Sequence, residues 1–150
     1  MALAAVTVAT NIGALTVTGV NIYALNEIPE GADARECPMV YPKPDGFMSG
    51  LEVEVNSFGS TSAKKTVRYT LTYMYLYAPI ASGRGLFDLY EDMVTKALAF
   101  QDAVLANDAI TGCVDITAMD IGEWGPVADP SGAAFHGCQM SFQVTEFVNG

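Results

Sequence analysis

The side chains that most often perform chemistry are scarce in this chain and badly placed for it. His136 is the only histidine, so neither a Ser-His-Asp arrangement nor a multi-histidine metal site can be built within one chain. With Gly137 and Cys138 beside it, His136 reads as an ordinary surface or strand-end residue. Asp88, Glu91 and Asp92 lie within one turn of a helical pattern, a spacing that suits paired carboxylates or a hard-cation site. Acids in the first turns of a helix also offset its dipole, and that is the simpler account. Gly83-Arg84-Gly85 has the look of a phosphate-binding turn, yet neither a GxxxxGK nor a GxGxxG pattern surrounds it. Its glycines supply turn geometry, and Arg84 is free to pair with an acid on a neighbouring chain. Cys37, Cys113 and Cys138 are widely spaced and form no CxxC pair. They read as small buried residues in a reducing compartment, the alternative being a disulfide between Cys113 and Cys138 on paired strands. The expectation is a protein that is not an enzyme, with no catalytic, metal or cofactor-binding residue and no cofactor.

The elements that would position these residues are legible from periodicity. The first thirteen residues suggest a short helix, weakened by Thr7, Thr10 and the β-branched Val6 and Val8. Their faint likeness to a signal peptide lacks a basic start, and they read as part of the mature fold. Val20–Ala24 and Cys37–Tyr41 are short strand candidates flanking a polar loop with Pro29 and Gly31, and a Pro-Lys-Pro-Asp-Gly turn follows at 42–46. Leu51, Val53 and Val55 alternate with Glu52 and Glu54, which predicts a strand with one wet face. A flexible polar loop follows at 56–65. Thr66–Ala78 is the strongest strand: Val67, Tyr69, Leu71, Tyr73, Tyr75 and Tyr77 face one way, and Arg68, Thr70, Thr72, Met74 and Leu76 the other. Tyr69 and Tyr73 are assigned to the core.

After the turn at 82–85, Leu86, Leu89, Tyr90, Met93, Ala97, Phe100 and Val104 recur at helical spacing, so a helix from about Leu86 to Leu105 packs through Leu89, Met93, Ala97 and Phe100. Two strands follow near Cys113–Ile121 and Phe135–Val148, with the Gly/Pro-bearing segment 125–132 expected as a hairpin loop or surface arm. The fold class is α+β: a mainly antiparallel sheet with one long helix, and a short N-terminal helix, packed on one face. Residues 1–150 fit a single domain.

Charge is more informative than any of the short motifs. Seventeen acids against seven bases give a net charge of −10, which opposes tight binding to phosphate backbones or anionic lipid. No run reaches the roughly 18 apolar residues that a membrane-spanning helix needs, and a soluble protein without a membrane partner is expected. Between Val55 and Phe87 there is no acid, only Lys64, Lys65, Arg68 and Arg84; from Asp88 onward the single base is Lys96. A subunit with a basic edge and an acidic flank can associate head to tail, closing into a ring when the rotation is right. Lys64, Lys65, Arg68 and Arg84 are therefore the candidate interface residues, for a neighbouring subunit or for a tube on which a ring sits.

Thr16–Glu30, the Cys37–Pro42 strand, the Tyr69–Ala78 strand, Gly83-Arg84-Gly85-Leu86 opening a helix, and the closing Phe142–Phe147 strand together resemble the tail-terminator (tail-completion) proteins of long, non-contractile-tailed bacteriophages. The order of elements is similar over most of the chain. The resemblance implies a structural virion protein of the tail or neck, assembled in the host cytoplasm. It would form a homo-oligomeric, hexameric ring that caps the tail tube, ends tube polymerisation and offers a surface to a head-side connector protein. DNA would pass through the lumen without adhering, in keeping with the acidic balance. A head–tail connector or a tail-tube subunit is the alternative within the virion; a small-ligand-binding domain or an enzyme using the acidic helix is the more distant one.

Overall fold

A computed structural model describes residues 5–28, 31, 34–55, 64–80, 86–106 and 114–149. Two 16-residue strands, β4 (Lys64–Pro79) and β7 (Ala134–Asn149), pair antiparallel along their length and form the spine of a seven-stranded sheet. At about 3.3 Å per residue each runs roughly 50 Å, well beyond a usual strand, so each flank of the spine has room for two shorter strands end to end. On the β4 side these are β2 (Met39–Pro42), opposite residues 73–76, and β3 (Met48–Val55), opposite residues 65–71. On the β7 side β5 (Val114–Ile121) pairs with 140–146 and β6 (Gly125–Ala128) with 134–137. β1 (Asn21–Ile22) joins β2 in parallel, after which the chain crosses over through the 3-10 turns Leu25–Glu27 and Ala34–Glu36. The sheet is therefore antiparallel except at this margin, and the α+β class predicted from sequence is the fold observed.

The alternation expected for β4 is the one the structure has. Val67, Tyr69, Leu71, Tyr73 and Tyr75 are buried on one face with Val144, Phe142, Met140 and Cys138 of β7. Two helices cover this face: α1 (Ala5–Gly13) and α2 (Leu86–Ala106). α2 buries Met93, Ala97, Phe100 and Val104, a single stripe at helical spacing; the side chain of Leu89, expected in the same stripe, lies outside the described residues. Tyr73 meets Phe47 and Phe142 edge-on, and Phe100 packs against both Tyr73 and Phe142. The Tyr75 hydroxyl donates to the Met93 carbonyl at 2.9 Å and fastens α2 to the sheet. α1 forms despite its threonines: Val8, Ala9 and Ile12 are buried, while the Thr10 hydroxyl donates back to the Val6 carbonyl at 2.9 Å, satisfying itself without breaking the helix.

The other face of the sheet has a second, smaller core, confined to one end. Met39, Tyr41, Met74, Leu76 and Phe135 cluster there, bordered by Tyr23, Ile28, Cys37 and Val127. Asn21 Nδ2 donates to the Glu36 carbonyl and the Tyr23 hydroxyl to the Glu36 carboxylate, both at 2.6 Å, which ties the crossover down over this cluster. At Gly137 a Cβ would fall 1.8 Å from the Tyr75 carbonyl oxygen, so only glycine admits the close approach of β7 to β4 beside the shift in register at Leu76/Ala78.

The segment 125–132 corrects the sequence reading. Its first half is the strand β6 rather than a loop or arm, and only 129–132 is the turn. Pro126 read as a strand breaker, but β6 pairs only with β7 and so lies at a sheet margin, where a residue without an N–H is tolerated. Asp129 Oδ1 accepts from Ser131 N, Ser131 Oγ and Ala133 N, and Gly132 takes the positive φ of 93° that closes the hairpin.

Candidate assembly surface

Among the residues singled out for chemistry, Asp92 is held in contacts within the fold. Asp92 accepts a hydrogen bond from the Tyr77 hydroxyl at 2.6 Å and an ion pair from Lys96 at 3.0 Å. Those two contacts, Tyr77 first, hold its carboxyl below the usual range. Glu91 is exposed on the same helix, and the side chain of Asp88 lies outside the described residues. His136 is half-buried within β7, opposite Ala78 on β4 and Pro126 on β6. Cys138 is buried in the main core and burial pushes its thiol up to about 12; Cys37 is half-buried, and Cys113 lies outside the described residues. Among the described residues no three His, Cys, Asp or Glu side chains are grouped to hold a metal, and no helix is long and apolar enough to cross a membrane.

A cavity of about 280 Å³ opens beside the second core, lined by Tyr41, Lys43, Asp45, Met74 and Asp129 among others. It is slightly below the usual size for a small-molecule site. Asp129 in its wall is committed to the β6–β7 turn, and burial, followed by the charge of Asp129, raises the Tyr41 hydroxyl to about 12. Two further hydroxyls are buried in the main core. Tyr69 donates to the buried carboxylate of Glu146, and burial followed by this bond raises it well above the ordinary tyrosine value. The Tyr73 hydroxyl has no hydrogen-bond partner among the described residues, and burial raises it likewise.

Of the four bases expected at an interface, Lys65 and Arg68 are the two whose side chains are described, and they lie on opposite faces of the sheet. Lys65 stands in register with Val55 and Val148, and Lys64 with Asn149, at the start of β4 where the β3–β4 connection ends. Arg68 lies three positions after Lys65, so the two-residue alternation puts it on the opposite face of the sheet. There its Nη1 reaches Glu54 Oε2 at 3.3 Å, an intramolecular pair between half-exposed side chains. Arg84 and the side chain of Lys64 lie outside the described residues.

The surface that sequence reasoning missed is β3 itself. Its alternation predicted a half-buried strand, yet all eight residues are exposed. Leu51, Val53 and Val55 are 51%, 54% and 42% exposed, on the face where Val67 and Tyr69 of β4 are buried. Beyond them β3 has no strand partner among the described residues. Phe147, in register with Thr66 near the same end of the spine, is 58% exposed on the other face. Scattered exposed apolar residues are ordinary, but three in a row on an open strand edge are a surface built for contact or at risk of aggregation. The alternation was the right signal for which side chains share a face; nothing local in the sequence says whether anything lies over that face. The chain matches no known family model, and no curated protein is significantly similar to it.

Proposed function

We propose that the protein is a structural subunit of a bacteriophage tail: a ring, hexameric by the resemblance, that caps the tail tube, ends its polymerisation and receives the head-side connector while DNA passes through the lumen. The observation that carries this reading is the exposed apolar row of β3, whose outer edge has no strand partner among the described residues, a surface that a chain acting alone would have reason to bury. The order of elements, the segregated charge and the net charge of −10 are consistent with it. In this reading Lys64, Lys65, Arg68 and Arg84 face the acidic half of a neighbouring subunit or the tube. Rim ion pairs are worth under about 1 kcal/mol each, so no single charge decides assembly. Reversing Lys64 and Lys65 together to Glu replaces attraction by repulsion.

The test combines sedimentation and electron microscopy of the purified protein with its effect on polymerising tail-tube protein from the same phage. Closed rings, and tubes that stop growing when substoichiometric protein is added, are the expected result. The double variant should cap less well at low salt while retaining its fold by circular dichroism. A protein that stays monomeric at every concentration and leaves tube length unchanged would overturn the reading.

A further inference from the structure

We propose that the apolar row of β3 on one copy of the chain packs against the outer side of α2 on a second copy. The row consists of Leu51, Val53 and Val55, all exposed, and at about 3.3 Å per residue it spans roughly 13 Å. Lys65 stands in register with Val55 on β4, half-buried and on the same face. Lys64, Glu52 and Glu54 occupy positions of the other face by the two-residue alternation and take no part. Among the described residues of β3 and β4, Lys65 is therefore the charge that borders the row.

α2 carries the complement. Its buried stripe of Met93, Ala97, Phe100 and Val104 lies against the sheet, and helical spacing puts Leu98 and Leu105, 47% and 50% exposed, on the side facing away. Seven residues apart, these two leucines stand two turns and roughly 10 Å from each other along one stripe. Asp102, exposed, falls between them, and Glu91, also exposed, extends the stripe two turns earlier. The base nearest to it, Lys96, is bonded to Asp92 at 3.0 Å. One chain thus exposes an apolar row bordered by a base and an apolar pair bordered by acids, similar in length and opposite in charge. Neither covers the other within the chain, so the fit is made between copies. The two surfaces are unlike, which makes the contact head to tail: it repeats from copy to copy and closes where the rotation allows. Five aliphatic side chains, each about half exposed, are a small core beside the roughly 800 Å² a side of a standard interface. One contact is therefore weak, and assembly gains when each copy makes two. The inference rests on that part of the tail-capping reading in which copies of the chain associate, and names the surfaces through which they do so.

Sedimentation of the full chain over a range of concentrations, with native mass spectrometry of mixtures, tests the pairing. Val53→Glu spoils the row and Leu98→Glu the outer side of α2; both sites are exposed, so the fold should persist by circular dichroism. Each variant alone should stay monomeric where the wild type assembles. Mixed, with one of them isotope-labelled, they should form a one-to-one pair and nothing larger, because one intact row then meets one intact helix side. Lys65→Glu and Asp102→Lys should each weaken assembly about three- to ten-fold at low salt, and the two together in one chain should restore it. A mixture that stays monomeric, or either glutamate variant assembling like the wild type, would show that row and helix do not meet and would overturn the inference; the ring reading would survive if the wild type still assembled and capped tubes. Wild-type oligomers that respond to these variants as expected but leave tube length unchanged would support the inference and sink the capping role alone. A wild type that stays monomeric at every concentration would end both.

Discussion

The two ends of the long sheet are built from the same pair of strands and finished differently. Where β2 and β6 flank the spine, both faces are covered, by the helices on one side and by the crossover over Met39, Tyr41, Met74, Leu76 and Phe135 on the other. Where β3 and β5 flank it, the helices cover the centre of one face but leave β3 bare, and the second face carries Arg68, Thr70, Gln143 and Phe147 with no second core among the described residues. One end holds the fold together and the other offers surface. Stability and recognition can be separated in this way because the spine is long enough for one end to hold the register of the other.

The comparison predicts its largest contrast between Leu76 and Val53, aliphatic residues on neighbouring strands of one sheet. Leu76→Ala removes a fully buried side chain of the second core and should cost about 2–5 kcal/mol by transfer and cavity terms. Val53→Ala at the open end should stay within about 0.5 kcal/mol. Urea unfolding of the two variants measures both. Similar losses at the two sites would mean that the open end is covered in solution, and the division between the ends would fall.

How far the sequence foretold this division depends on which force acts at each residue. The helix-facing rows of β4 and α2 were legible because two-residue and 3.6-residue periods follow from backbone geometry. The second core was half legible: Met74 and Leu76 showed that the far end of β4 is apolar on both faces, but the cover supplied by Tyr23, Ile28 and the crossover is a tertiary arrangement with no local signal. β6 was hidden by Pro126, whose usual meaning changes at a sheet margin. For the candidate interface, the alternation that places Lys65 and Arg68 on opposite faces was available in the sequence, whereas the Arg68–Glu54 pair depends on the register of β3 against β4. The bareness of Leu51, Val53 and Val55 was not available at all, because an apolar row looks the same whether or not a partner lies over it.

Buried phenols give a second way to probe the closed end. Tyr23 and Tyr41 are raised to about 12, chiefly by burial, and Tyr75 is raised further by the same cause. An unfolded tyrosine ionises near pH 10. The folded state thus favours the neutral phenols, and their contribution to stability is complete below about pH 10 and lost as pH rises through the folded values. The closed end should resist to about pH 11 and then unfold, with tyrosinate absorbance and loss of circular dichroism rising together. Tyr41→Phe should move that midpoint upward. Complete ionisation with the circular dichroism unchanged would show that these phenols reach solvent in the folded chain.

The smallest effect is expected between the two ends, where Tyr73 and Tyr75 lie two residues apart on the same face of β4. Both are fully buried, and they differ in the fate of one oxygen. The Tyr75 hydroxyl donates to the Met93 carbonyl, so Tyr75→Phe removes one hydrogen bond, a cost of about 0.5–1.5 kcal/mol. The Tyr73 hydroxyl is desolvated without a hydrogen-bond partner among the described residues. Tyr73→Phe keeps the ring among Phe47, Phe100 and Phe142 and deletes only the group whose burial is unrewarded. Its stability should be unchanged or higher by up to about 1 kcal/mol, measured by the same urea unfolding. A loss equal to that of Tyr75→Phe would mean that the Tyr73 hydroxyl has a partner in solution, a buried water being the one that fits a lone phenol. The aromatic centre of the sheet would then be wet, and the helices would cover it less completely than the packing of Phe100 implies.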